Sequence, residues 1–580
     1  MGPHEGKFMS STFIHGGMVV DGTGAPAFAA NIRIEDGVIA DIGADISKQS
    51  NDDVIDATGC YVAPGFIETH THFDANMWWQ PDLDPLPGYG VTTTILGNCG
   101  FTAAPVSDDE AVRLEMVNIF SFFEDIPVAP FLDHLPWDWR SWPEYKESMT
   151  SKVKVPANYA AFVGHLAIRL VVMGMDAWER AATADEVGQM CSMLDEALAA
   201  GALGMSSNLL DHDGQNRPVP TMLATDQEWE ALFDVLAKYP GTTLQVIVDT
   251  FMRKTAAESV ERIDRLIGDR PIRAQVAGMA PTLTFQKDIE EKMGPVRRRL
   301  AAEKRDIRAG FAHVPPTSVI SIKKSLIFAQ SNDYVWHEVV LAETEEEKLR
   351  ILKDEDWRAR ARVSWDEEVW KHSPFANPQS LLLINSENGV GPVDISLAQY
   401  ADDQGLHPSD AMADWLISNS VHSTVHMAPF PQDEEMVVEL IKDPWTVPNI
   451  SDAGAHGQML CGGGENIRLL TYYCREKGWI TVEEAVHAQT GKLADFFGLL
   501  DLGKLQVGKR ADITVFNLDE IERRPMKKAF DVPDENGGTT WRFTRDPAPV
   551  RTTMVNGEVT FSGGTATGAA PGQMLAPSAA

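Results

Sequence analysis

Two histidines one residue apart, His70 and His72, stand in "GFIETHTHFDANMWW", residues 65–79. Side chains at i and i+2 of a strand point to the same side, so both imidazoles can reach one ion from the end of one strand. Neutral imidazole suits zinc and other borderline divalent metals. Cys99, in "TTTILGNCGF", follows a second apolar, β-branched run. Its thiolate can face the same ion, or it can be a small buried apolar residue, the commonest fate of a free cysteine. Asp452, in "VPNISDAGAHG", ends another such run. A carboxylate there can bind a metal and take a proton from a water whose pKa the metal lowers to about 7. An aspartate before a Gly-rich turn can also be a plain helix cap.

Other residues could complete such a site. His456 lies four residues after Asp452 and can contact substrate or a developing oxyanion, or be a loop histidine. His165 ends the run in "AAFVGHLAIR", where it can assist catalysis or stand in as a ligand. Arg169, just after it, can meet a substrate carboxylate bidentately or be a surface arginine. Ser206 and Asn208 end a further run and are substrate-side candidates. His422 and His426 are spaced i and i+4, but no HExxH glutamate lies between them, so they read as a helix face or loop. Neither GxGxxG after a strand, nor a P-loop, nor GxSxG is present.

These residues need elements to position them. The middle of the chain alternates strand-like runs with helical patterns, the sequence form of βαβ units. Eight runs qualify: "VAPGFIETH", "VTTTILGN", "ANYAAFVGH", "ALGMSSN", "TTLQVIVD", "IRAQVAG", "SLLLIN" and "VPNISDAG". Residues 183–200 read as a helix with a Thr cap. Eight strands predict an α/β fold built on a TIM-type (β/α)₈ barrel, whose active face lies at the strand C-termini. Residues 12–62 and the stretch after 500 are rich in short strands and Gly turns, with Asn556-Gly557 as a hairpin signal. They predict a small composite β-sandwich from both chain ends: residues 1–62 plus 500–580, around a barrel over 63–499. Insertions are expected near 112–155 and 288–375, as lids or subunit contacts of a homo-oligomer. The final "GGTATGAAPGQMLAPSAA" reads as a loose tail or an arm over a neighbour.

Composition narrows the function classes. Of 580 residues 44% are hydrophobic, enough for a substantial core. A formal net charge of −34 argues against nucleic acid, because phosphate binding needs a positive surface. Five cysteines, few and unevenly spread, argue against a disulfide framework and for a reducing, cytoplasmic setting. The N-terminus carries no apolar run of signal-peptide type, Gly2 opens no myristoylation motif, and no stretch is long and apolar enough for a membrane span.

Taken in order, "VAPGFIETHTHFDA", "GVTTTILGNCGFTAAPV", "GHLAIRLVVMG", "AGALGMSS", "ISDAGAHG", "EEAVHAQTGKLADFFGL" and "LGKLQVGKRADITVF" resemble the amidohydrolase superfamily, and within it the N-acyl-D-amino-acid deacylase (D-aminoacylase) group. The resemblance implies a metal-centred barrel with a composite β domain, hydrolysing an amide of a small molecule. It implies His70, His72, Cys99 and Asp452 as ligands of a divalent metal, zinc first, with Asp452 also the general base. Cys99 would take the place of the carboxylated lysine of many relatives. The chain departs from the superfamily pattern at strands five and six, where "TTLQVIVDT" and "IRAQVAG" hold no histidine. One metal is therefore expected, with Gln245 or Asp249 lining the space left. The alternatives are hydrolysis of a cyclic imide or an N-acyl xenobiotic, or a barrel that has lost chemistry and only binds.

Overall fold

A computed structural model describes residues 11–578 apart from 216, 251–252, 316, 323–334 and 368–376. The first ten residues, read above as neither signal peptide nor anchor, lie outside the described residues, as does part of the second expected insertion. The chain is a mixed α/β fold. Parallel pairing runs from Phe66–Glu68 to Val91–Leu96 and on to Asn158–Ala161. It resumes at Val163–Gly164 and passes through Gly204–Leu209, Thr243–Val248, Arg273–Ala277 and Ile307–Gly310 to Thr446–Val447. Ile450–Ala453 then pairs, also in parallel, with His70–Thr71. Near-continuous apolar strands of this kind, covered by helices, are the signature of parallel sheets. The connecting helices form where the caps allow. Thr183 and Glu186 make a reciprocal capping box at the start of Ala184–Ala199, the helix the sequence predicts there.

One strand assignment needs correction. "SLLLIN" does not join the parallel array: Leu381–Asn385 pairs antiparallel with Thr424–Met427 in a separate four-stranded sheet. The array takes Ile307–Gly310 instead, a four-residue strand inside the stretch expected to be an insertion. A short apolar run fits either sheet, and periodicity cannot separate them. The antiparallel sheet and its helices bury their own core, including Trp336, Trp357, Trp365 and Trp415.

Strands from both chain ends do share one sheet. Ile513–Phe516 pairs antiparallel with Tyr61–Pro64, and Thr552–Val555 extends the sheet beyond it. Two segments behave otherwise. The hairpin of Met526–Pro533 and Thr539–Arg545 leaves this sheet. It reaches the loop after Asp452, where the Phe543 amide donates to Gly457 O at 2.6 Å and the Gln458 side chain to Trp541 O at 2.9 Å. The C-terminal tail is not loose: the Leu575 amide donates to Tyr159 O at 2.7 Å and the Ser578 amide to Gly498 O at 2.8 Å. Small residues let it lie flat, and its backbone finds partners on its own chain.

Candidate metal centre

His70 ends the first strand segment, and His72 follows it as the cap of the short helix Phe73–Asn76. Thr71 between them turns the opposite way, its hydroxyl donating to Ile95 O at 2.7 Å. That anchor leaves both imidazoles on the interior side. Cys99 sits in a tight turn after Val91–Leu96 with φ 56°, a left-handed conformation rare outside glycine. Three side chains hold the turn. Gln245 Oε1 accepts from the Cys99 amide at 2.7 Å, Ser206 Oγ from the Gly100 amide at 3.1 Å, and the Asn208 amide donates to Cys99 O at 3.1 Å.

Asp452 is aimed by a β-bulge. Ile450 pairs with His70 and Ala453 with Thr71, so Ser451 and Asp452 are extra on their strand. Asp452 carries φ 54°, and His456 in the following loop also carries φ 54°. Bulges and left-handed residues gather beside active sites because they re-aim side chains that a regular strand would point elsewhere.

Together these elements make a donor cluster. His70 Nε2 lies 3.1 Å from Cys99 Sγ and 3.4 Å from Asp452 Oδ1. His72 Nε2 lies 3.8 Å from the same carboxylate oxygen. The ligand atoms of His70, His72 and Cys99 all fall within 4.8 Å of one another. The two imidazoles and the thiol at such separations fit one divalent ion, with the Asp452 carboxylate reaching the cluster from the side of the two histidines. His70, His72 and Cys99 are buried, whereas the Asp452 side chain is 39% exposed, which opens one side of the cluster to solvent.

The electrostatics divide the cluster. Burial drives the pKa of His70 down to about 4 and that of His456 likewise, so both are neutral at pH 7. Burial also acts on His72, but the carboxylates of Glu124, Asp452 and Asp74 outweigh it and push the pKa up to about 9. Burial opposes ionisation of Asp452, yet the charge of protonated His72 beside it holds it well below the usual carboxylate range. Burial, then the charges of Glu124, Asp452 and Asp211, push the Cys99 thiol well above its ordinary value.

Not every predicted residue arrives at the cluster. Both ring nitrogens of His165 are engaged away from the cluster, Nε2 2.8 Å from Glu228 Oε1 and Nδ1 2.9 Å from Ser207 Oγ. Arg169 is wholly buried and donates to Glu228 Oε2, so it does not face a substrate carboxylate. Ser206 supports the Cys99 turn rather than a substrate. His456 does stand at the site, 3.5 Å from Glu124 Oε2. His426 lies on a strand, not the helix face or loop expected, with its Nε2 2.9 Å from Thr317 Oγ1. Gln245 and Gln275 are direct neighbours on the two strands that lack histidine, and both are fully buried. Sequence reasoning missed Glu124, the last residue of the helix Glu110–Glu124. The available signal was an acid closing the apolar run "IFSFFE".

The chain can now be set beside known proteins. It is 28% identical, over 95% of its length and 92% of the relative's, to an uncharacterized protein of Mycobacterium tuberculosis. It is 25% identical to the D-aminoacylase of Alcaligenes xylosoxydans xylosoxydans, covering 97% of each chain. Among solved structures, an N-acyl-D-glutamate deacylase from Bordetella bronchiseptica, complexed with zinc and a phosphonate inhibitor, shares the fold. There the TM-score is 0.64 at 23% identity, over 98% of this chain and 99% of that one. The profile of the amidohydrolase family matches residues 53–561, a span that holds every donor of the cluster. The chain therefore belongs to the amidohydrolase family, in its D-aminoacylase-like group, and is a hydrolase of carbon–nitrogen bonds other than peptide bonds.

Proposed function

We propose that the protein hydrolyses the amide bond of an N-acyl amino acid or related N-acyl compound at a metal centre held by His70, His72, Cys99 and Asp452. The observation that carries this reading is Asp452: bulge-aimed, ionised, part exposed, and within 3.8 Å of both histidines. When bound, a divalent metal acidifies water and polarises the amide carbonyl, and zinc suits this donor set best. Asp452 accepts the proton of the attacking water and delivers it to the departing amine. His456 stands beside this carboxylate and contacts the bound substrate. Gln245 and Gln275 offer amides where a second ion would need imidazoles, which supports one metal. The run of parallel pairings supports a closed (β/α)₈ barrel, its active face at the strand C-termini. The composite β domain of 1–62 plus 500–580 would flank a barrel over 63–499, with the second insertion placed after Gly310. Asp452→Asn should lower kcat/KM by about 10²–10⁴-fold with an unchanged circular dichroism spectrum. Near-wild-type turnover in that variant would sink the mechanism.

A second reading is favoured by the cleft beside the loop after Asp452. A cavity of 320 Å³ is lined by Asp125, Val319, Glu387, His422, Gln458 and Trp541 among others. An adjoining one of 650 Å³ includes Asp534 and Glu535. Among the described residues no Lys or Arg lines either. The nearby Arg542 is paired with Asp531 and Asp84. Like charges repel a carboxylate, so this surround favours an N-acyl compound whose amine side is neutral, such as a xenobiotic amide. Matched substrates should show it: the methylamide of an N-acyl amino acid should exceed the free acid in kcat/KM by about tenfold, each 1.4 kcal/mol of discrimination counting tenfold. Glu387→Gln should narrow that ratio. A preference for the free acid would restore the N-acyl amino acid.

The described cysteines are all unpaired, which supports a reducing, cytoplasmic setting. No described helix is long and apolar enough to cross a membrane.

A further inference from the structure

Glu124 closes a helix whose inward residues Val112, Met116, Val117, Ile119, Phe120 and Phe123 are buried, so its position is set by a packed core. Its side chain is itself 5% exposed. The two oxygens face two different imidazoles: Oε1 lies 3.6 Å from His72 Nδ1, and Oε2 lies 3.5 Å from His456 Nε2. The Glu124 main-chain oxygen also accepts from the His456 amide at 2.5 Å, tying the loop after Asp452 to the helix end. On its other side, His72 turns Nε2 to the Asp452 carboxylate.

An imidazole that ligates a metal through one nitrogen needs an acceptor for the proton on the other, and that acceptor fixes both tautomer and ring plane. We propose that Glu124 is a positioning residue of the metal centre: one oxygen holds the Nδ1–H of His72 so that Nε2 faces the ion, and the other holds His456 beside Asp452. The separations are long for hydrogen bonds, as polar contacts in unliganded sites often are before loading draws them together. The inference rests on the metal reading above, and it explains why a buried acid stands at a helix end against two rings.

Metal affinity tests it in the full-length protein. Wild type and Glu124→Gln, stripped with chelator, are titrated with Zn²⁺ against a competing chromophoric chelator. The variant should keep the thermal midpoint of the metal-free protein while its Zn²⁺ dissociation constant rises about 10–100-fold. A folded variant within threefold of wild type overturns the proposal. Should Glu124→Gln fail to fold, ¹⁵N-histidine NMR of the Zn²⁺-loaded wild type decides, with His72 assigned from its loss in His72→Asn. A proton on Nδ1 is expected, and a proton on Nε2 overturns it. A wild type that takes up no Zn²⁺ removes the metal reading and this proposal with it. A wild type that binds while the variant is unaffected removes this proposal alone.

Discussion

At the scale of single residues, the proposed ligand set holds protons that metal binding would have to displace. The Cys99 thiol is pushed well above its usual value by burial and three carboxylates, and His72 is pushed up to about 9. Ligands bind a metal as thiolate and neutral imidazole, so loading must displace these protons. At pH 7.5 we expect Zn²⁺ uptake to release about two protons, and apparent affinity to rise as pH is raised towards 9. Both folded-state values lie above the working pH, so raising pH removes the competing proton and the sign is fixed. Calorimetry in buffers of different ionisation enthalpy reads the count. Cys99→Ser should release about one proton fewer. An unchanged count in that variant would show that Cys99 is a buried apolar residue and not a ligand. His165 and Arg169 make the complementary point. Their residue types suit catalysis, but a buried glutamate on the helix Asp226–Leu236 claims both, and an acid some 60 positions away leaves no trace in the local pattern.

At the scale of elements, legibility followed how local the signal was. His70 and His72 were readable because strand alternation alone puts both on one face, and their donor atoms lie within 4.8 Å of that of Cys99. The helix Ala184–Ala199 was readable from its Thr cap and apolar spacing. The strand Ile307–Gly310 was not, because four residues after a charged helix carry too little pattern, while the longer apolar run "SLLLIN" imitated a core strand. Glu124 escaped for a related reason. It belongs to the site through the end of a helix and not through a strand end, so a search along strand C-termini passes it by. The bulge at Ser451 and Asp452 was equally invisible, since register is a property of two strands and not of one.

At the scale of the whole molecule, the proposed metal site and the docked C-terminal segment lie at opposite ends of the parallel strands. The donors lie at the C-terminal ends: His70 and His72 after Phe66–Glu68, Cys99 after Val91–Leu96, and Asp452 within Ile450–Ala453. The C-terminal segment instead docks at the start of Asn158–Ala161, where Met574 bridges Tyr159, Leu575 is 8% exposed, and the Gly572 amide donates to Val155 O at 2.9 Å. Residues at the N-terminal ends of such strands serve stability, and those at the C-terminal ends serve chemistry. Removing residues 570–580 deletes one buried leucine and several backbone hydrogen bonds, a loss of about 2–5 kcal/mol. The truncated protein should therefore unfold at lower denaturant concentration, while its Zn²⁺ dissociation constant stays within threefold of the full chain. Metal affinity falling in step with stability would show that the two ends are coupled, and that the tail holds the strands in the register the metal centre needs.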